Sequence, residues 1–188
     1  MTAATVIGDE DKLAELILYI SQKCATDPKF GATKLNKILY LSDFLSFGNF
    51  GEPITGVEYQ HLRLGPAPRR LIPVRDALQS AGKLVVQSLT FKSGKQQTRT
   101  VNLTDPNLKL FSGREIALVD SVIEDLWNLD ADESSEFSHR FVGWKMTKEG
   151  ANIPYGSIFI SDEPLSAAET LRGQALAREL NLTSDDTP

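Results

Sequence analysis

At 188 residues, with 41% hydrophobic and 24% charged residues, the chain has ordinary globular composition rather than that of a disordered or fibrous protein, and it can bury one sizeable core. No segment approaches the roughly 20 apolar residues of a membrane span, and the opening MTAATVIGDEDK lacks the basic and apolar regions of a secretion signal, so a cytoplasmic chain with no membrane partner is expected. The net charge of −5 conceals segregation: five basic and eight acidic residues over 1–60, eight and one over 61–100, seven and sixteen over 101–188. A basic middle between acidic flanks argues for a charged partner, and the single cysteine, Cys24, excludes an internal disulfide.

Leu13, Leu16, Ile17, Ile20 and Cys24 recur at helical spacing, and Asp9, Glu10 and Asp11 suit the positive end of a helix over residues 10–24. A second helix is expected over 33–46, with Thr33 as N-cap and apolar residues around most of its circumference, so it should be central. Its one polar stripe, Asn36, Tyr40 and Asp43, is expected to bond neighbouring loops. Gly48, Gly51, Pro53 and Gly56 interrupt the pattern, and Val57, Tyr59, Leu62 and Leu64 read as a short extended stretch ended by Pro66 and Pro68. Leu71, Val74 and Leu78 mark a third helix between Pro68 and Gly82, with Pro73 pushing its start later.

Residues 84–91 and 97–104 flank Ser93-Gly94-Lys95 and form the clearest hairpin. Ser112 and Glu115 make a capping box for a helix over 113–129. Shorter helices are expected over Phe137 to Trp144 and over 164–180, the latter with Leu165, Ala168, Leu171 and Ala175 on one face. The expected architecture is a single mainly helical α+β domain over 1–182, about six helices with one β-hairpin, followed by a flexible acidic tail over 183–188.

Motifs for catalysis are missing. His61 and His139 are the sole imidazole bases, and Ser138 beside His139 points about 100° away on a helix, so no triad is legible. Cys24, His61 and His139 lack paired metal-ligand spacing, and neither a P-loop nor a G-x-G-x-x-G turn is present, so neither metal nor cofactor is expected.

The arginines point to binding instead. Arg63, Arg69, Arg70 and Arg75 occur with no acid between Glu58 and Asp76, and Arg69 and Arg70 open a helix, where the dipole disfavours cations. Carboxylates must compensate them, either from the acidic C-terminal third or from a partner protein. Nucleic acid is the rival partner. Three helices followed by a hairpin is the order of a winged-helix regulator, with Lys92, Lys95 and Arg99 on the wing and Arg69, Arg70 and Arg75 on the third helix. The acidic balance of the whole chain opposes it.

Three segments in chain order, TKLNKILYLSDFL, GEPITGVEYQHLRLGPAPRRL and FSHRFVGWKMTKEGANIPY, resemble the signature of the Panacea domain family, the SocA-like antitoxins and phage-associated proteins. The resemblance extends over roughly residues 10–165 and rests on Lys34, Leu35, Lys37, Leu39 and Tyr40, then Pro53, Thr55, Gly56, Tyr59, Gly65, Pro66 and Pro68, then His139, Trp144, Ile153, Pro154 and Tyr155. The sequence departs from the pattern at Asn36, where glutamine is frequent, and at Leu62-Arg63-Leu64, where an aromatic often precedes the glycine.

The resemblance implies a non-enzymatic bacterial or phage protein that binds and neutralises a toxin encoded nearby, by covering an active site, by chaperoning, or by delivery to a protease. Contact residues are then expected at Lys34, Lys37, Tyr40, Tyr59, Arg63, Arg69, Arg70, Arg75, His139, Trp144 and Tyr155, around an apolar groove beside the second helix. For His139 two roles stay open, a histidine satisfied by a loop or a contact residue in a groove.

Overall fold

The computed structural model describes residues 8–91, 94 and 96–180. Lys92, Ser93 and Lys95, expected on a basic wing, and the tail over 183–188 lie outside the described residues. The described chain folds as a mainly helical α+β unit with two separate antiparallel hairpins. The apolar spacing noted above becomes helix α1, Glu10–Lys23, capped by the Asp9 side chain on the Lys12 N–H. Its buried stripe of Leu13, Leu16, Ile17 and Ile20 leads to Cys24, also buried at the helix end.

Helix α2, Ala32–Phe50, lies at the centre and packs against α1 and, further along the chain, against the helices of residues 113–139. Burial around most of its circumference matches its near-continuous apolar sequence. Two of its boundaries differ from expectation. Gly31, not Thr33, is the N-cap, and no side chain caps there. Gly48 does not break the helix, which runs on to a left-handed Gly51; a Cβ on Gly48 would come within 3.3 Å of Ile158, so glycine here admits a close neighbour.

The Gly-Pro-Ala-Pro segment also departs from expectation. Rather than ending the extended stretch, it is itself strand β2, Gly65–Pro68, paired with β1, Tyr59–Leu62. The register explains why prolines fit. Tyr59 and His61 turn their backbone groups towards residues 150–153, so Gln60 and Leu62 bond β2, while the nitrogens of Pro66 and Pro68 face away where no donor is needed.

Helix α3, Leu71–Ser80, starts after Arg70 and holds Pro73 in its first turn, where an N–H has no intrahelical partner. It leads into the second hairpin, β3 (Leu84–Thr90) and β4 (Gln96–Asn102). The capping box of Ser112 and Glu115 opens α4, Gly113–Leu126, which buries Val119, Val122, Ile123 and Leu126.

The single helix expected over Phe137 to Trp144 is two. A second capping box, Asp130 with Glu133, starts α5, Ala131–His139, and extended Phe141 separates it from α6, Val142–Met146. A third box, Ser166 with Glu169, starts α7, Ala167–Glu179. Among the described residues the apolar face expected on α7 is not buried: the helix has no buried residue, and Leu171 is 67% exposed. Among the described residues no helix is long and apolar enough to cross a membrane.

Candidate functional site

The three signature segments meet on α2, where Asp43 and two lysines hold the other segments in place; of the polar stripe expected to bond loops only Asp43 does so among the described residues, and Asn36 Oδ1 is buried there without a hydrogen-bond partner. Asp43, fully buried, accepts hydrogen bonds from the Thr55 N–H (2.6 Å), the Thr55 hydroxyl (2.5 Å) and the Tyr59 hydroxyl (2.7 Å). The Tyr155 hydroxyl donates to the Val57 carbonyl at 2.7 Å and lies 3.4 Å from the same carboxylate. Burial pushes the Asp43 carboxyl above its ordinary range, and the donors from Thr55 and Tyr59 pull it back. Burial and the neighbouring carboxylate likewise raise Tyr59 and Tyr155. Tyr40, raised by burial alone, lies tilted against Phe44 at 4.2 Å and meets Tyr59 edge-on at 5.6 Å.

Nearer the N-terminal end of α2, both lysines point inward. Lys34 Nζ lies 2.8 Å from Asp27 and 3.1 Å from the Trp127 carbonyl, with both charged side chains 1% exposed. Lys37 Nζ donates to the carbonyls of Leu64 (2.5 Å) and Pro66 (3.4 Å) and has no carboxylate partner among the described residues. Burial pushes its pKa down to about 7. Gly65 adopts φ +100°, and a Cβ there would overlap Lys37 Nζ and sit 2.7 Å from Ser138 Oγ. A glycine is required by conformation and by space together.

On the far side of β1, residues 150–153 run alongside: the His61 N–H donates to Ala151, the Gly150 N–H to His61 and the Ile153 N–H to Tyr59. Trp144 is sandwiched between His61 (4.3 Å) and His139 (3.8 Å), and its indole N–H donates to the Leu62 carbonyl at 3.3 Å. His61 Nδ1 lies 3.0 Å from the Trp144 carbonyl in α6. His139 stacks on Trp144, with Nε2 buried and without a hydrogen-bond partner among the described residues. Burial, then the charges of Lys37 and His61, lower its pKa.

The arginines are compensated mostly from within, though among the described residues not by carboxylates of the acidic C-terminal third. Arg70 makes a two-pronged contact with Glu10 of α1 at 2.6 and 3.2 Å. Arg75 pairs with its neighbour Asp76 at 3.0 Å. Arg69 donates to the Asn152 side chain, to the Gly150 carbonyl at 2.5 Å and to Gln60 at 3.2 Å. Arg63 alone of the four makes no such contact among the described residues. It is exposed on the turn between β1 and β2, flanked by exposed Leu62 and Leu64.

That turn is fixed from below: Trp144 Nε1 holds the Leu62 carbonyl, and Lys37 Nζ with the Ser135 hydroxyl (3.0 Å) hold that of Leu64. Of the residues expected as contacts, Lys34, Lys37, Tyr40 and Tyr59 are therefore internal supports, His139, Trp144 and Tyr155 are part-buried, and Arg63 is exposed without a partner among the described residues. The signal for Leu62 and Leu64 was the departure from the family pattern itself.

The concavity beside α2 opens at its N-terminal end, a cleft of about 570 Å³ lined by Gly31, Thr33, Phe91, Gln97 and Ala131 among others, and none of the four arginines lines it. Helix α3, which would face nucleic acid in a winged-helix reading, exposes Ile72, Asp76, Ala77, Gln79 and Ser80.

A family model described as antitoxin SocA-like, Panacea domain, matches residues 35–145, from the first turn of α2 to α6. The chain belongs to this family. Nothing among curated proteins and nothing among solved structures matches it.

Proposed function

We propose that this chain is an antitoxin that neutralises a cognate toxin, encoded nearby, by direct protein contact and without a catalytic step. Membership of the SocA-like family supports the antitoxin role. The observation that carries the mode of contact is the Leu62-Arg63-Leu64 turn, in which two exposed leucines flank a guanidinium that has no partner among the described residues, on a backbone gripped by three donors. A fixed turn loses little conformational freedom on binding, arginine is among the side chains enriched at interface hot spots, and the exposed leucines add apolar area beside it. Its complement is an apolar pocket containing a carboxylate. Occlusion, chaperoning and delivery to a protease all start from this contact.

The test is expression of the neighbouring reading frames with and without this chain. The expected result is growth arrest by one of them, rescue by the wild-type chain, and co-purification of the two proteins. Arg63→Glu combined with Leu64→Asp should abolish rescue and co-purification while leaving the melting temperature unchanged. Arrest that the wild-type chain does not relieve would sink the proposal, as would operator DNA retained by the pure chain and released steeply by salt.

A further inference from the structure

The fold protects its strand edges unevenly. The outer edge of β1 is bonded to residues 150–153, and that of β2 carries two prolines. Strand β4 is backed by the segment after α1, where Arg99 reaches the carbonyls of Cys24 (2.9 Å), Ala25 (2.5 Å) and Asp27 (3.1 Å), and Gln97 that of Pro28 (3.3 Å). Strand β3 has no such cover among the described residues.

Its free groups follow from the register. The Leu103 N–H donates to the Lys83 carbonyl, so Lys83, Val85, Gln87 and Leu89 face β4, and the backbone groups of Val86, Ser88 and Thr90 point outward. No hydrogen bond to those groups exists among the described residues. On one face of the same strand Leu89 and the following Phe91 are 40% and 45% exposed, beside part-buried Val85.

Charge selects what fits this edge. Between Asp76 and Asp105 the chain carries Lys83, which pairs with Glu15 at 3.8 Å, together with Lys92, Lys95 and Arg99 and no acidic residue, while Leu84 to Phe91 is uncharged. A second copy pairing antiparallel here would bring two cationic hairpins together, and phosphates would find no cation on the strand itself. We infer that the β3 edge receives an extended protein segment with alternating apolar residues and acidic flanks, which adds a strand to the hairpin. Backbone bonds to Val86, Ser88 and Thr90 would set its register, and the apolar pairs with Leu89 and Phe91 its face. The inference rests on the antitoxin reading only for the identity of the partner, in which the segment belongs to the toxin.

The experiment selects short random peptides displayed on phage against the immobilised full chain. Enriched peptides should alternate apolar residues between Asp or Glu flanks and should slow hydrogen exchange at Val86, Ser88 and Thr90. They should bind Ser88→Pro about tenfold more weakly or worse at an unchanged melting temperature, because this proline removes an outward donor and no ladder bond. Thr90→Pro gives the same test nearer the turn if Ser88→Pro does not fold.

Equal binding by the proline variants would overturn the inference. So would protection elsewhere, failure to enrich peptides, dimerisation of the chain through this edge, or a mixed-sequence oligonucleotide protecting the same amides. Full neutralisation of the toxin by Ser88→Pro would remove the edge from the antitoxin mechanism and leave the antitoxin reading standing. Growth arrest unrelieved by wild type would do the reverse.

Discussion

Lys37 shows how far a single side chain can depart from the role its type suggests. A lysine in a family motif of an antitoxin reads as a contact to an acidic partner, yet here the ammonium is enclosed and faces two backbone carbonyls. Desolvation without a compensating carboxylate lowers its pKa to about 7, against roughly 10.4 for an exposed lysine in the unfolded chain. Between those values the unfolded chain binds the additional proton, so the contribution of Lys37 to stability rises with pH from about 7 upward and is at its lowest below it. Cys24, raised by burial, acts in the opposite direction once the unfolded thiol ionises near roughly pH 8.5. The comparison therefore uses urea unfolding of wild type and Lys37→Met at pH 6.5, 7.5 and 8.5. Wild type should gain on the variant by up to about 1.4 kcal/mol per pH unit above 7; parallel pH profiles would show that the ammonium keeps its proton in the folded chain, as a hydrated site would.

Between single residues and the whole lie the elements, and they differ in how much of them the sequence made legible. Helices α1, α2, α3 and α4 and the second hairpin follow from local terms: apolar period, capping boxes and a glycine turn. Strand β2 was hidden because two prolines ordinarily stop a strand, and only the pairing register shows that both face outward. The break between α5 and α6 was hidden in the same way, since nothing local separates Phe141 from a helix interior. For the site, the grouping of three segments was legible as a family pattern. The inward direction of Lys34 and Lys37 was not, because the partner of a long side chain is fixed by tertiary neighbours such as Asp27 and the Leu64 carbonyl. Helix α7 is the opposite case, with an apolar pattern that implied packing and a position that buries nothing. Truncation after Glu163 should accordingly change unfolding stability by less than about 0.5 kcal/mol, as read by urea denaturation. A loss above about 2 kcal/mol would mean that α7 folds back on the core in solution.

At the scale of the whole molecule, the signature of this family is a framework rather than a contact surface. Asp43 ties the 55–59 segment to α2, Lys34 ties in Asp27 and Trp127, and Lys37 with Ser135 holds the turn that carries Arg63. Partner choice can then vary at the exposed turn and at the β3 edge while the buried bonds stay the same. The enclosed thiol of Cys24, the chain's single cysteine, adds a practical consequence. It stands at the end of α1, 1% exposed and pushed up to about 12 by burial, so an alkylating reagent reaches it only when this neighbourhood opens. The chain thus carries a built-in clock for its own breathing, without an engineered label. Native alkylation should run about a thousandfold or more below that of the urea-unfolded chain, and slower again in a complex that binds only the folded state. A native rate near the unfolded one would locate the weakest point of the fold at the end of α1.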